Sequence, residues 1–197
     1  MGYDHAGIDE RSEVHAAFGA DVALRQYLDP IRKRDRIFNE CGRVDKRGKV
    51  KIEFLQALAK GWFGNSQQHS IQAQLLKQRG FGKLADKIMA ESDEEWDEAK
   101  KVNARLIELG VTPRVELQEY PVFTDVKEML EYDCKDAAEA LPEMSKALSL
   151  FEDDYVTKSM IQEFIVDEQD HFNWVRQHLS LMEEIGMENY LIEQLGE

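Results

Sequence analysis

The sequence predicts an all-α protein: four long helices in a bundle with one long crossover, a short fifth C-terminal helix and an N-terminal helical extension. Three observations carry this. Glycine is absent between Gly82 and Gly110 and between Gly110 and Gly186, and only Pro30, Pro113, Pro121 and Pro142 punctuate the chain, so long helices are permitted. Residues 83–109 and 152–184 are rich in Ala, Leu, Glu, Lys, Met and Gln and lack the period-two alternation of a half-buried strand. The segment 110–124, with two of the prolines and an extended-looking stretch from Val115 to Phe123, is the only long connection between major helices. A single crossover of that kind makes the second and third helices of a bundle parallel.

Taken in order, residues 9–40 read as a helical segment with Val14, Phe18, Val22 and Leu28 at near-helical spacing, bent at Pro30. The polar turn from Cys41 to Lys49 separates it from the rest, dividing the chain into an extension, 1–50, and a bundle domain, 51–197. The extension carries no catalytic motif and reads as an amphipathic packing element. The first bundle helix covers 49–79 and is closed by Gly80 and Gly82. The second covers 83–109. The third begins after a Thr124-Asp125 cap, with Glu128 in a capping position, and runs toward Pro142, which should kink or interrupt it. The fourth spans 152–184, and Asn189 to Leu195 forms the short fifth helix.

Composition narrows the function. The chain has 197 residues, 43% of them hydrophobic, enough for one domain with a real core. Its 39 acidic against 25 basic residues give a formal charge of −14, which argues against a nucleic-acid partner and against an anionic membrane surface. No apolar run approaches the roughly 18 residues of a membrane helix. The first residues, with Asp4, Asp9, Glu10 and Arg11, lack the order of a signal peptide, so a cytoplasmic protein is expected. Cys41 and Cys134 show no zinc or redox spacing and are read as reduced thiols.

The informative residues are charged groups on stripes meant for burial. On the second helix the stripe runs Leu84, Ile88, Glu91 or Ser92, Glu95, Glu98 or Ala99, Val102 and Leu106; on the last it runs Ile161, Phe164 or Ile165, Glu168, His171 or Phe172, Val175, Leu179 and Met182. Asp133 holds an inward position on the third helix and His69 on the first. Ionised groups in a bundle core are expensive unless paired or bound to metal, and a Glu-x-x-His facing a Glu-x-x-Glu is close to the geometry by which bundles hold metal ions. Oxygen-rich ligation with one or two imidazoles suits iron or manganese, with zinc also compatible. His69 also fits a hydrogen-bonded core histidine, and Asp133 a partner for a nearby Lys or Arg. The acidic run Glu91, Asp93, Glu94, Asp97 reads as a solvated helix face.

These residues resemble a known family. The stretch from Glu91 to Ala99 resembles the second-helix motif of bacterioferritins, Asp125 to Leu130 the start of their third helix, and Asp167 to Trp174 followed by Gly186-Met-Glu-Asn-Tyr-Leu191 their fourth and fifth helices. The similarity covers 51 to about 195. It implies a ferritin-like bundle assembled into a hollow 24-subunit cage, Fe(II) oxidation at an intrabundle di-iron centre, ferric storage, and haem between paired subunits; the segment 1–50 leaves a homo-oligomer of either kind open, a dimer or a cage. Carried over by position, Glu95, Glu168 and His171 match metal ligands. Glu98 stands where the family has a histidine, the first-helix glutamate falls at Trp62, and the bridging third-helix glutamate falls at Ala137. His69 aligns with a core tyrosine beside the metal centre. Trp96 replaces the haem methionine, so no haem is expected. The expected function is iron storage or oxidation at a modified centre built from Glu95, Glu98, Glu168, His171, His69 and Asp133. The alternative is a structural or interaction protein in which Trp62 and Ala137 fill the cavity.

Overall fold

Five α-helices and one 3-10 turn make up the part of the chain that the computed structural model describes, residues 46–196, within a compact unit spanning Asp45–Glu197. The expected helix over 9–40 and its bend at Pro30 lie outside the described residues. In chain order the helices are α1 (Lys46–Gln78), α2 (Gly82–Glu108), α3 (Val126–Ala147), α4 (Tyr155–Ile185) and α5 (Met187–Glu193), with the 3-10 turn Leu148–Phe151 between α3 and α4.

The boundaries follow local chemistry. Helix α1 starts at Lys46, inside the stretch read as a turn, because Gly48 weakens a helix without breaking it and Leu55 and Ala59 anchor the next turns in the core. At its end Gly80 takes φ +86°, and the Phe81 N–H reaches back to the Leu76 carbonyl at 3.1 Å. Gly80 alone is the stop; Gly82 is the first residue of α2. Helix α2 ends in the same way at Gly110, φ +78°, with Val111 N–H on the Leu106 carbonyl at 2.8 Å. Asp125 caps α3, accepting from the N–H groups of Lys127 at 2.9 Å and Glu128 at 3.0 Å.

Pro142 does not interrupt α3, contrary to expectation: the helix continues to Ala147. Proline removes one backbone bond there, and the buried Met144, Ala147 and Phe151 hold the chain on course beyond it. The break comes at the 3-10 turn, after which Asp154 caps α4. Its carboxylate accepts from the Thr157 N–H and hydroxyl and from the Arg105 guanidinium at 2.8 Å. Helix α5 begins two residues before the expected Asn189, and its buried Tyr190 shares a 2.8 Å hydrogen bond with His178 Nδ1. Among the described residues no helix is long and apolar enough to cross a membrane.

The crossover 110–125 is pinned to α1 by buried glutamines, a device that sequence periodicity does not reveal. Gln56 accepts the Arg114 N–H at 2.9 Å, Gln72 accepts the Phe123 N–H at 3.2 Å, and Gln68 donates to the Pro121 carbonyl at 2.5 Å. Between them the Gln118 N–H bonds the Lys60 carbonyl at 3.1 Å. These bonds satisfy backbone groups of a segment without secondary structure of its own.

The core has two apolar halves. One gathers Ala73, Leu76, Leu84, Ile88, Met129, Leu130, Val175 and Tyr190; the other gathers Leu55, Trp62, Val102, Leu106, Met144, Phe151, Ile161 and Phe164. Early α2 meets early α3 in the first half and late α2 meets late α3 in the second, so these two helices run parallel, as the crossover requires.

Gly64 provides a test in which two effects have opposite sign. Helix propensity alone makes Gly→Ala stabilising by up to about 1 kcal/mol. A Cβ at Gly64, however, would overlap the Gln118 carbonyl oxygen and lie 2.9 Å from Tyr120 Cε2. Gly64→Ala is therefore expected to lower the thermal midpoint; an unchanged or raised midpoint would show that the crossover is not held against α1.

Candidate metal centre

Between the two apolar halves lies a polar layer to which all four long helices contribute. Ser66, His69, Glu91, Ser92, Glu95, Glu98, Asp133 and His171 are buried there, and Glu168 is half-buried. Reciprocal bonds bring α1 and α2 together at its edge: Ser66 Oγ donates to the Ser92 carbonyl at 2.7 Å and Ser92 Oγ to the Ser66 carbonyl at 2.8 Å.

His69 forms the centre of the layer. Its Nδ1 meets Glu95 Oε2 at 2.8 Å, and its Nε2 faces Asp133 Oδ1 at 3.5 Å. Burial alone would lower the His69 pKa, but Glu95 and Asp133 outweigh it and raise it well above the ordinary imidazole value. Burial raises Glu95 in turn, with His69 pulling the other way. On the facing helix His171 Nδ1 lies 2.9 Å from Glu91 Oε2, and the two imidazole centroids are 6.0 Å apart. Burial acts against ionisation of Glu91, yet His171 and Lys87 bring it down to about 2.

Asn65, Gln68, His69, Glu95, Tyr132, Asp133, Asp136, Ala137, Glu168 and His171 enclose a cavity of about 20 Å³. That volume admits one water-sized body. Five of the six candidate residues from the sequence line it: His69, Glu95, Asp133, Glu168 and His171. Glu98 does not. It is buried nearby with one carboxyl oxygen unpartnered, and burial, reinforced by Glu168, Asp167, Glu94 and Glu95, pushes it up to about 9. Burial likewise raises Glu168 to about 7, against the pull of His171.

Several placements depart from the sequence reading. Glu91 is buried against His171 and does not belong to a solvated face; it sits on the core stripe one turn before Glu95, masked by its acidic neighbours. Asp133 meets His69, and among the described residues no Lys or Arg pairs with it. Asp136 also lines the cavity and was not singled out, since a lone aspartate at an intermediate position gives no periodic signal. At the family's first-helix ligand position, Trp62 stacks edge-on against Phe164 at 4.7 Å, and at the third-helix position Ala137 leaves part of the cavity wall. Trp96 is half exposed and packs edge-on against Phe63 at 4.8 Å.

The donor chemistry therefore suits a cation, with buried atoms in the layer still unpartnered on His69 Nε2, His171 Nδ1, Asp133 and Glu98. Among the described residues, no three His, Cys, Asp or Glu side chains already converge as a ligand group. An ion would have to draw them together.

A helical bundle with a crossover and a layer of carboxylates and imidazoles across its middle defines a class of protein, and the comparisons define the family. Residues 52–185 match the model of the ferritin-like domain, and the chain belongs to that family. It is 31% identical over 147 residues to the bacterial ferritin of Pseudomonas aeruginosa, covering 73% of this chain and 96% of that protein. The bacterial ferritin of Neisseria meningitidis serogroup B matches at the same identity and coverage. The bacterioferritin of Brucella melitensis is 30% identical over 130 residues, 64% of this chain and 81% of that protein.

The Glu98 shift sets a pH test. Below about 4.5 its carboxyl is neutral folded and unfolded; above that the unfolded chain ionises first, so stability is withdrawn as pH rises toward about 9. In chelator-treated protein, Glu98→Gln should match the parent midpoint at pH 4 and exceed it at pH 8. Equal midpoints at pH 8 would show that Glu98 is ionised in the fold.

Proposed function

We propose that this protein binds iron inside its bundle and serves iron storage or oxidation, at a centre modified from that of its bacterial ferritin relatives. The observation that carries this is the polar layer itself: His69, Glu95, Asp133, Glu168 and His171 from four helices around one small cavity, walled by apolar clusters on either side. Fe(II) is the substrate, giving one electron to oxygen or peroxide and remaining as Fe(III). The carboxylates supply the negative charge that a ferric product needs, and the apolar halves keep bulk water from the ion. The acidic character of the whole chain, −14, favours approach of cations to the bundle.

Assembly with copies of itself, as a dimer or a cage, belongs to the same reading, as does a cytoplasmic location. Haem does not, since Trp96 offers no sulfur ligand. The competing reading, a structural ferritin-like protein, is favoured by one observation: Trp62, packed on Phe164, stands where the family has a carboxylate.

Iron analysis of protein purified without chelator, followed by Fe(II) addition under oxygen, separates the two. Parent protein should retain core-bound iron and take up oxygen; Glu168→Ala, with folding checked by circular dichroism, should lose most of both. A variant that keeps full iron would place the ions on the acidic surface. A parent that binds none would establish the structural reading.

A further inference from the structure

We infer that the polar layer is built for a single first-row divalent cation, held by His69 Nε2, Asp133 and the His171 imidazole, with Glu95 placed behind His69 as its orienting group. The inference rests on the reading that the core binds metal and specifies which atoms hold it.

The geometry around His69 points this way. Its Nδ1 is engaged by Glu95 at 2.8 Å, so a cation that displaces a proton from the charged ring takes the Nε2 side. Nε2 is buried without a hydrogen-bond partner. Its nearest partner, Asp133 Oδ1, stands at 3.5 Å, too far for a good hydrogen bond. Two donors on one tetrahedral ion with bonds of about 2.0–2.1 Å are themselves separated by about 3.3 Å. The pair is thus spaced as ligands of a shared ion. The second Asp133 oxygen is also buried and unpartnered, and it can complete the contact.

His171 approaches from α4. Glu91 lies 2.9 Å from its Nδ1, but that nitrogen is buried without a hydrogen bond, so the ring is not locked in place. Imidazoles sharing one ion place their centroids about 5–6 Å apart, given bonds of about 2.0–2.1 Å. The His69 and His171 rings are 6.0 Å apart, so a small turn of His171 brings both onto one ion. The cavity they border is about 20 Å³, room for one water-sized body. The Glu95 carboxylate behind His69 fixes the orientation of that ring.

The residues show where the centre has moved. Relative to Trp62, His69 lies seven residues on, and relative to Ala137, Asp133 lies four residues back. Because α1 is antiparallel to α2 and α2 is parallel to α3, both displacements lead toward the α1–α2 turn. On α1 and α3 the donors are displaced along the bundle by about two turns and about one turn, roughly 10 Å and 6 Å, away from the position now filled by Trp62. Two imidazoles and one carboxylate with open positions form the donor set that suits Fe(II).

Cobalt(II) titration of the full-length, chelator-stripped protein tests this. One Co(II) per chain is expected, with two strongly shifted, exchangeable ring N–H resonances in the proton NMR spectrum, one from each ligating imidazole. His69→Phe and Asp133→Asn should each abolish the site. Glu95→Gln should keep one ion per chain with affinity lowered about 10- to 100-fold. Two ions per chain, or loss of binding in Glu95→Gln with retention in His69→Phe, would overturn the inference while leaving a core metal centre in place. No binding by the parent would overturn the metal reading as well. The NMR signature of the unmutated protein decides the matter even where a variant fails to fold.

Discussion

The constraint on which this structure depends is that charge inside a helical bundle must be neutralised locally. Five carboxylates and two imidazoles enter the middle of a core between two apolar clusters, a burden of several kcal/mol per unpaired ion. The arrangement that tolerates it is pairwise. Glu95 is set against His69, and Glu91 against His171, each carboxylate one turn of α2 from the other. Glu98 has no cationic partner and accordingly holds its proton. The polar layer thus divides into a paired part around the cavity and an unpaired carboxyl beside it.

Much of the fold was legible because helices announce themselves by absence of glycine and by the period of apolar residues. The capping aspartate at Asp125, the parallel placement of α2 and α3, and the inward faces of His69, Glu95, Asp133 and His171 all follow from those signals. Other features were not legible, for physical reasons. Pro142 breaks a local rule, but three buried side chains downstream outweigh one lost hydrogen bond. Glu91 belongs to an acidic run whose composition says solvent, while its position on the stripe says core; burial against His171 decides in favour of position. The glutamines that hold the crossover are polar residues with no periodic signature, and their role emerges only when the backbone they satisfy is in place.

Family membership does not bring the family's site with it. Position by position, Glu95, Glu168 and His171 stand where bacterioferritin-like ligands are expected, yet Trp62 and Ala137 alter the space between them. A tryptophan packed on Phe164 replaces an anionic ligand by a ring that excludes water. With that ligand lost, His69 and Asp133, displaced toward the α1–α2 turn, supply donors in its place, and the proposed single-ion centre follows from that displacement. In this account Glu95, a ligand by family position, becomes the group that orients His69.

The most direct test is anomalous diffraction at the iron edge from crystals soaked anaerobically in Fe(II). The account predicts one peak per chain, about 2.0–2.2 Å from His69 Nε2 and from an Asp133 oxygen, with Glu95 still on His69 Nδ1. Two peaks bridged between Glu95 and Glu168, with His69 uninvolved, would contradict it.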